Sequence, residues 1–245
     1  MHYLQTMCCS GVTLPRRKVV AVIHARMGSS RFPGKMLATL GHAPVLEWVI
    51  RRTLKTESVD AFVLATSDLH QDDVLATLGK QLEIPVFRGS LDDVLTRVVD
   101  AAEEFQADAV LRICADNPFV DPAVLTLLVT AFRKNWSDYA FNHRPAFGLD
   151  VADGFGGEVF DLGALAGVRT RFDNPRYREH LTSPFWDHPE IFSIQAIACP
   201  SRLRRPELRF DVDTPGDLEF LNSLVLRGQL TFDSSAEEII RCADE

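Results

Sequence analysis

At residues 24–35 the chain reads His-Ala-Arg-Met-Gly-Ser-Ser-Arg-Phe-Pro-Gly-Lys, directly after an apolar run at 19–23 that predicts a buried strand. Small residues in such a loop let backbone N–H groups approach an anion without obstruction by side chains. Arginine and lysine side chains supply charge-assisted hydrogen-bond donors for phosphate oxygens. The stretch therefore predicts a loop that binds a nucleoside triphosphate. The expected contacts come from Arg26, Gly28, Ser29, Ser30, Arg31 and Lys35.

Two commoner phosphate-binding loops do not fit this stretch. A Walker A loop needs glycine, four residues, Gly-Lys and then serine or threonine. Here Ser29 stands at the first glycine position, and Met36 follows Lys35 where a hydroxyl is needed. The dinucleotide-binding pattern G-x-G-x-x-G does not occur in this turn either. The sequence thus gives no support for a P-loop NTPase or for hydride transfer with a nicotinamide cofactor.

Apolar runs and helical periodicity alternate along the first half of the chain, which is typical of a parallel sheet flanked by helices. Strands are predicted at 19–23, 61–66, 85–87 and 109–114, and helices at 45–55, 72–82, 94–105 and 122–135. Residues 138–178 lose this periodicity and predict loops or short antiparallel strands. Further strands are predicted at 192–198 and 208–212, and a further helix at 217–227.

The composition limits the classes of partner. The formal net charge is −8, which argues against general binding of nucleic acid or of anionic membranes, because both need a basic surface. No apolar run approaches the roughly 20 residues of a membrane span. Five cysteines without C-x-x-C spacing are typical of a protein of the reducing cytoplasm. A polyanionic substrate must therefore be held by local cations.

Three segments carry a resemblance to a known family. The loop pattern Arg-x-x-Ser-x-Arg-x-Pro-Gly-Lys resembles the opening motif of the cytidylyltransferases that make CMP-activated sugars, especially the SpsF-like branch of spore coat polysaccharide biosynthesis. Residues 112–122 and 210–219 resemble the family elements R-x-T-A-D-x-P-x-x-D-P and V-D-T/E-P-x-D-L-E. The resemblance implies an α/β fold with one Rossmann-like nucleotidyltransferase domain at 19–245. An extension at 1–18 precedes it, and an irregular insertion at 138–190 would bind the acceptor or form a dimer.

The same resemblance implies a magnesium site at Asp116 and Asp213. Asp116 ends a buried strand, the position at which ligands bind in open α/β sheets, and two carboxylates from distant strands suit Mg²⁺. The residues alone leave other roles open. Asp116 could do no more than shape the turn before Pro118, and Asp213 could mark the start of the following helix. Nucleotide contacts are expected from the loop and the strand end, at Ala25, Arg26, Met27, Gly28, Ser29, Ser30, Lys35 and Ala115.

Two segments match family elements that line the nucleobase, at 65–68 and 87–97. They assign Thr66, Ser67, Arg88 and Ser90 to the base side of the site. A serine or aspartate before a helix is also an ordinary helix N-cap, and Arg97 can be interpreted as a solvated helix residue. The sequence does not say which group contacts which atom of a cytosine.

The acceptor region departs from the family pattern. The family has a compact G-x-D-V-E-V-F element, whereas here Asp150 and Glu158 are separated by an inserted stretch, so either one could occupy the acceptor site. Downstream, 177–184 resembles the R-E-H-V-T-P segment that closes over the acceptor. Arg178 and His180 are therefore candidate contacts for an acceptor carboxylate or phosphate, although a histidine in such a loop can also be a structural hydrogen-bonding residue.

The resemblance implies a CTP-dependent cytidylyltransferase that transfers CMP to a sugar or sugar acid with release of pyrophosphate. The residues expected to carry the reaction are Arg26, Arg31, Lys35, Asp116 and Asp213, with Mg²⁺ as cofactor. A homodimer is also implied, since family members often dimerise. Alternatives are a nucleotidyltransferase for a phosphonate or polyol phosphate, a non-catalytic nucleotide-binding protein, and a structural partner in a polysaccharide-synthesis complex.

Overall fold

A seven-stranded sheet forms the centre of the computed structural model, which describes residues 16–143, 149 and 151–245. The strands in chain order are β1 (Val19–His24), β2 (Thr39–Leu40), β3 (Ala43–Pro44), β4 (Ala61–Ser67), β5 (Val86–Gly89), β6 (Ala109–Cys114), β7 (Tyr139–Phe141), β8 (Glu158–Asp161) and β9 (Ile194–Ala196). The sheet order is β5-β4-β1-β6-β8-β7-β9, and β2 pairs with β3 in a separate hairpin. All pairs in the large sheet are parallel except those of β8 with β6 and β7.

Helices cover both faces of this sheet. They are α1 (Val45–Thr53), α2 (Asp73–Gln81), α3 (Val94–Glu104), α4 (Pro122–Lys134), α5 (Leu162–Arg171), α6 (Pro175–Glu179), α7 (Ser183–Asp187), α8 (Pro215–Gly228) and α9 (Ala236–Asp244). Within the described ranges, no helix is long and apolar enough to cross a membrane. The predicted α/β fold with a mostly parallel sheet is confirmed.

The sequence of β1 explains its central place. Its side chains alternate between the two faces, so Val19, Ala21 and Ile23 pack with α1, α2 and α4, while Val20 and Val22 pack with α3, α5 and α7. A strand that is buried on both faces needs a continuous apolar run, which is what the sequence contains. Because β4 and β6 lie parallel on either side, the carboxyl ends of three strands meet at one edge.

Two predictions of local structure are wrong. Residues 138–178 contain the antiparallel β7 and β8 but also α5 and α6, which the lost periodicity did not indicate. Glycines at 163 and 167 weaken the pattern of α5, while Asp161 caps the helix by accepting from the backbone N–H of Ala164 at 2.8 Å. Residues 208–212 form no strand, because the segment is extended but pairs only through an isolated bridge from Arg209 to Asp153.

The C-terminal helices form a third apolar cluster with α1, separate from the two faces of the sheet. The helix α9 was not predicted, although Ser235 and Glu238 form a capping box that the sequence pattern contains. The buried guanidinium of Arg52 on α1 joins this region to the segment between β6 and α4. It donates to the carbonyl oxygens of Val120 at 2.8 Å and Ser234 at 2.7 Å.

Candidate active site

A cleft of about 380 Å³ opens at the carboxyl ends of β1 and β6. The residues that line it come from the loop after β1, the ends of β1 and β6, the start of α3, the end of α6 and the segment before α8. They are His24, Ala25, Arg26, Gly28, Ser29, Ser30, Arg31, Lys35, Met36, Val94, Arg97, Arg112, Cys114, Ala115, Asp116, Glu179, His180 and Asp213. Most of the predicted phosphate-loop residues and both predicted metal ligands thus face one space.

The phosphate loop is held by hydrogen bonds within its own backbone and to Asp72, the residue before α2. Gly34 has φ +77°, a left-handed conformation that favours glycine, and its N–H donates to the carbonyl oxygen of Met27 at 3.3 Å. The N–H of Met27 donates to Asp72 Oδ1 at 2.7 Å. Met27 therefore fixes the shape of the loop and does not line the cleft. At Gly28 a Cβ atom would come no closer than 3.7 Å to another residue, so the loop is open at this point.

Lys35 joins the two predicted metal ligands. Its Nζ donates to Asp116 Oδ2 at 3.1 Å, to Asp213 Oδ1 at 3.2 Å and to the carbonyl oxygen of Val212 at 2.8 Å. Arg31 Nη2 lies 2.9 Å from Asp213 Oδ1. The backbone N–H of Val212 also donates to the carbonyl oxygen of Asp116 at 2.8 Å, which links the two segments directly. Residues far apart in sequence thus converge around one ammonium group.

The donor set at Asp116 and Asp213 fits a hard divalent cation. Two carboxylate oxygens lie within hydrogen-bond distance of the same nitrogen atom, and both side chains are partly exposed to the cleft. Among the described residues, no group of three or more His, Cys, Asp and Glu side chains is arranged to hold a metal. Two carboxylates suit Mg²⁺, because this ion usually keeps several waters and binds through one or two carboxylates plus substrate phosphates.

Arg26 closes one side of the cleft by pairing with Glu179 at the end of α6, with Nη2 2.8 Å from Oε1. This hydrogen bond lowers the pKa of Glu179, so the carboxylate is charged at neutral pH. His180 follows Glu179 and also lines the cleft. The segment predicted to close over the acceptor therefore contacts the phosphate loop.

A buried polar network lies beneath the cleft. Glu158 accepts from Tyr139 Oη at 2.6 Å and from Thr182 Oγ1 at 3.1 Å, and forms an ion pair with Arg112. Burial alone would raise the pKa of Glu158, but the positive charges of Arg112 and His143 and the hydrogen bonds together lower it to about 2.

Arg112 connects this network to His24 on the cleft wall. Its Nε donates to His24 Nε2 at 3.1 Å. Burial, with the positive charge of Arg112, holds the pKa of His24 well below its ordinary value, so the ring is neutral. The cleft is therefore lined at this point by an imidazole whose orientation is fixed by a charged neighbour.

The residues assigned to the base side lie beside the cleft and do not line it. Thr66 is fully buried, and Ser67 donates its hydroxyl to Asp72. Arg88 donates to the carbonyl oxygens of Ser67 at 2.9 Å and Leu69 at 2.8 Å. The Ser90 hydroxyl accepts from the backbone N–H of Asp93 at 3.0 Å. These hydrogen bonds stabilise the loops in which the residues lie.

The acceptor candidates are divided between several places. His180 lines the cleft, whereas Glu158 lines a second, small cavity that shares Arg112 and Cys114 with it. Arg178 Nη2 donates to the carbonyl oxygen of Arg169 at 3.0 Å and does not line the cleft. Asp150 lies outside the described residues.

The sequence interpretation missed several residues that line the cleft. His24 and Arg112 belong to the segments 24–35 and 112–122, but no role was predicted for them. Polar side chains near the ends of buried strands could have indicated that they line a site. For Arg97, the alternative of a solvated helix residue is wrong, because the side chain is only 1% exposed. Glu179 was also missed. Its partnership with Arg26 joins segments that are distant in sequence.

A family model described as Cytidylyltransferase matches residues 20–239, a range that contains all of this cleft. The chain belongs to the cytidylyltransferase family. It is therefore a CTP-dependent nucleotidyltransferase.

Relatives of this cytidylyltransferase agree with that placement. The chain is 34% identical over 227 residues to the spore coat polysaccharide biosynthesis protein SpsF of Bacillus subtilis, covering 91% of this chain and 92% of SpsF. It is 31% identical over 118 residues to the 3-deoxy-manno-octulosonate cytidylyltransferase of Trichlorobacter lovleyi, covering 48% and 46% of the two chains. A cytidylyltransferase structure from Leptospira borgpetersenii superposes with a TM-score of 0.85 at 28% identity, covering 93% and 94%.

Proposed function

We propose that this cytidylyltransferase transfers CMP from CTP to a sugar or sugar-acid acceptor and releases pyrophosphate, in the synthesis of a surface polysaccharide or glycoconjugate. The observation that carries the proposal is the convergence of Lys35, Asp116 and Asp213 beside the phosphate loop in one cleft. The choice of acceptor class is supported by the similarity to SpsF over nine-tenths of both chains and by the more limited similarity to 3-deoxy-manno-octulosonate cytidylyltransferase.

The residues of the phosphate loop have distinct tasks in this proposal. The backbone at Gly28, Ser29 and Ser30 receives the triphosphate, while Arg26 and Arg31 exchange their carboxylate partners for phosphate oxygens. An acceptor hydroxyl then attacks the α-phosphorus, and the bond to the bridging oxygen of pyrophosphate breaks. Lys35 and Arg31 stabilise the charge that develops on the leaving pyrophosphate.

Asp116 and Asp213 are proposed to hold Mg²⁺ when CTP binds. The chemistry that this ion supplies is stabilisation of negative charge on the α-phosphate. For the carboxylates to serve in this way, Lys35 must move from between them toward the phosphates. Its position beside both groups makes this a short displacement.

The acceptor is proposed to approach from α6. Two observations support this: His180 lines the cleft, and the second cavity at Glu158 shares two wall residues with it. Arg178 and Asp150 stay predicted acceptor contacts, and Thr66, Ser67, Arg88 and Ser90 stay predicted contributors to the base side. A homodimer and a cytoplasmic location are likewise proposals, taken from the family resemblance and the cysteine usage.

The test is pyrophosphate release in the presence of Mg²⁺ with CTP, UTP, ATP or GTP against a panel of sugar acids, sugar phosphates, phosphonates and polyol phosphates. We expect release with CTP and a sugar-type acceptor, and its loss in Asp116→Asn. A matched control is Asp187→Asn on α7, which removes a carboxylate outside the cleft. Pyrophosphate release only with a phosphonate or a polyol phosphate would show that the acceptor belongs to that class and is not a sugar or sugar acid. CTP binding without turnover across the panel would favour a non-catalytic role.

A further inference from the structure

The proposed reaction needs a group that removes a proton. An acceptor hydroxyl that attacks the α-phosphorus loses its proton, and a positioned base that accepts it typically accelerates such a step about 10²- to 10⁴-fold. The tasks assigned to Arg26, Arg31 and Lys35 are those of hydrogen-bond donors, which take up no proton. In the described part of the chain, the cleft wall also carries the titratable side chains of His24, Cys114, Asp116, Glu179, His180 and Asp213.

His24 and Cys114 are unsuited to act as the base. A neutral histidine ring has one nitrogen with a free lone pair, and in His24 this atom is Nε2, which already accepts from Arg112 Nε at 3.1 Å. The thiol of Cys114 carries its proton at neutral pH, as thiols ordinarily do. Neither side chain therefore offers a free lone pair of sufficient basicity to an acceptor hydroxyl.

The two aspartates are already assigned. Asp116 and Asp213 both pair with Lys35 in the nucleotide-free protein, and they are the proposed metal ligands when CTP binds. The remaining titratable side chains of the cleft wall are those of Glu179 and His180, which are neighbours at the end of α6. The choice of base is therefore between these two.

Glu179 contacts the phosphate loop directly. Among the described residues, its carboxylate has one hydrogen-bond partner, Arg26, whose Nη2 lies 2.8 Å from Oε1. Arg26 belongs to the loop that is proposed to bind the triphosphate, so Glu179 lies within the length of one side chain of the phosphates. The Glu179 side chain is 51% exposed, which leaves the carboxylate accessible to an acceptor in the cleft.

The same contact makes the basicity of Glu179 depend on nucleotide binding. The hydrogen bond and positive charge of Arg26, with the charge of His180, lower the pKa of Glu179, while burial opposes them. When phosphate oxygens take Arg26, its contribution is lost, and the negative triphosphate nearby raises the pKa further. Glu179 is therefore a stronger base with the nucleotide bound, which is when the reaction needs one.

We propose that Glu179 is the general base of the reaction: the triphosphate takes Arg26 from it, and the freed carboxylate accepts the proton of the attacking acceptor hydroxyl. As the hydroxyl oxygen bonds to the α-phosphorus, the bond to the bridging oxygen of pyrophosphate breaks, and pyrophosphate leaves with that electron pair. The proton on Glu179 then passes to solvent, to which the side chain is half exposed. This inference rests on the proposed function.

The first experiment measures kcat and KM as functions of pH for the wild type, Glu179→Gln and the control Glu103→Gln, with CTP and the acceptor that supports pyrophosphate release. Glu103 is a matched carboxylate, because it is also 51% exposed and pairs with an arginine, Arg169, at 3.1 Å, but outside the cleft. We expect the kcat of Glu179→Gln to fall about 10²- to 10⁴-fold without a rise in the KM for CTP, and Glu103→Gln to match the wild type.

The pH profile separates a base from a structural residue. The kcat of the wild type should fall toward acid pH as Glu179 is protonated, and this decrease should be absent from Glu179→Gln. An unchanged kcat in Glu179→Gln would overturn the proposal. So would a kcat that is lost in His180→Asn but kept in Glu179→Gln, since the base would then be His180.

The second experiment needs no acceptor. Calorimetry of CTP binding at about pH 5, in two buffers of different ionisation enthalpy, measures the protons that are taken up on binding. The wild type should take up about 0.3 proton or more beyond Glu179→Gln, because release from Arg26 raises the pKa of Glu179. Equal proton uptake by the two proteins would overturn the proposal, since Arg26 would then stay on Glu179. A wild type that binds no CTP would instead contradict the proposed function.

Discussion

The Nζ atom of Lys35 lies 3.1 Å from Asp116 Oδ2, inside a cleft where the lysine side chain is 11% exposed. The same nitrogen neutralises Asp213, so two carboxylates from different segments share one buried counter-cation. A carboxylate pair without such a cation would be costly to bury. Lys35 therefore lets the site form without a metal and must leave the carboxylates when a metal–nucleotide complex binds.

Substitution of Lys35→Met should separate these two roles. We expect CTP-dependent turnover to fall on the order of 10²-fold or more, because the variant lacks the preorganised positive charge that stabilises the leaving pyrophosphate. Mn²⁺ binding to the nucleotide-free protein should become about tenfold tighter, since the carboxylates lose the one cation that contacts both of them, while Arg31 still pairs with Asp213. Mn²⁺ titration followed by electron paramagnetic resonance measures this, with Lys80→Met on the exposed face of α2 as control. Unchanged Mn²⁺ affinity would show that Lys35 does not compete with the metal.

Removal of divalent metal should abolish turnover but leave the fold intact. Lys35 already balances Asp116 and Asp213, so the folded state does not need the ion. We expect the melting temperature of the nucleotide-free protein to be the same in EDTA and in Mg²⁺, within about 2 °C, while pyrophosphate release is detected only with the metal. A large fall of the melting temperature in EDTA would indicate a structural metal.

Glu179→Gln should strengthen CTP binding. In the nucleotide-free protein, Glu179 forms an ion pair with Arg26. The negative charge of Glu179 lies on the wall of the cleft that is proposed to bind the polyanionic CTP. We expect the KM for CTP to fall about two- to fivefold, less so at high salt, without a change in stability, because an exposed ion pair contributes about 0–1 kcal/mol. Steady-state kinetics at two salt concentrations measures the effect, and Glu190→Gln outside the cleft is the control. A higher KM would mean that Glu179 positions Arg26 for CTP.

Glu158→Gln should destabilise the protein in a pH-dependent way. The pKa of Glu158 is about 2 in the fold and near its ordinary value of 4.5 in the unfolded chain, so the ionised group stabilises the fold above pH 4.5. That contribution is lost as the pH falls from 4.5 toward 2. We expect a loss of about 3 kcal/mol at pH 7 that shrinks as the pH falls below 4.5, measured by urea denaturation against Glu104→Gln. A difference that stays constant down to pH 3 would contradict this pKa.

Much of the fold could be predicted because each element carried its own pattern. Residues 19–23 of β1 and 109–111 of β6 are apolar on both faces, and α4 begins with proline after the capping Asp121. Local patterns of this kind need no partner to be recognised. The helix α5 was missed because glycines interrupt its apolar face. Residues 208–212 were wrongly predicted as a strand, because their alternation of apolar and charged residues does not show whether a neighbouring strand pairs with them.

The site could be predicted only in part, for a similar reason. The loop 24–35 is one continuous segment, so its cations could be recognised together. The burial of Arg97 depends on the segment before α3, where the carbonyl oxygens of Ser90 and Leu91 accept hydrogen bonds from its side chain. The contact of Arg26 with Glu179 depends on the placement of α6. Such contacts between segments are set by tertiary structure and leave no local pattern.

Arg52→Met should destabilise the docking of the C-terminal segment. The Arg52 guanidinium is fully buried and donates to the carbonyl oxygens of Val120 and Ser234, which would lose their charged donor. We expect a loss of about 3 kcal/mol, a melting temperature lower by roughly 6–12 °C, and faster amide exchange in α9. The control is Lys134→Met, which removes an exposed cation from the end of α4. Since Arg52 lies outside the cleft, turnover per folded molecule should not change. Equal melting temperatures for the two variants would show that the buried hydrogen bonds of Arg52 do not hold the C-terminal helices in place.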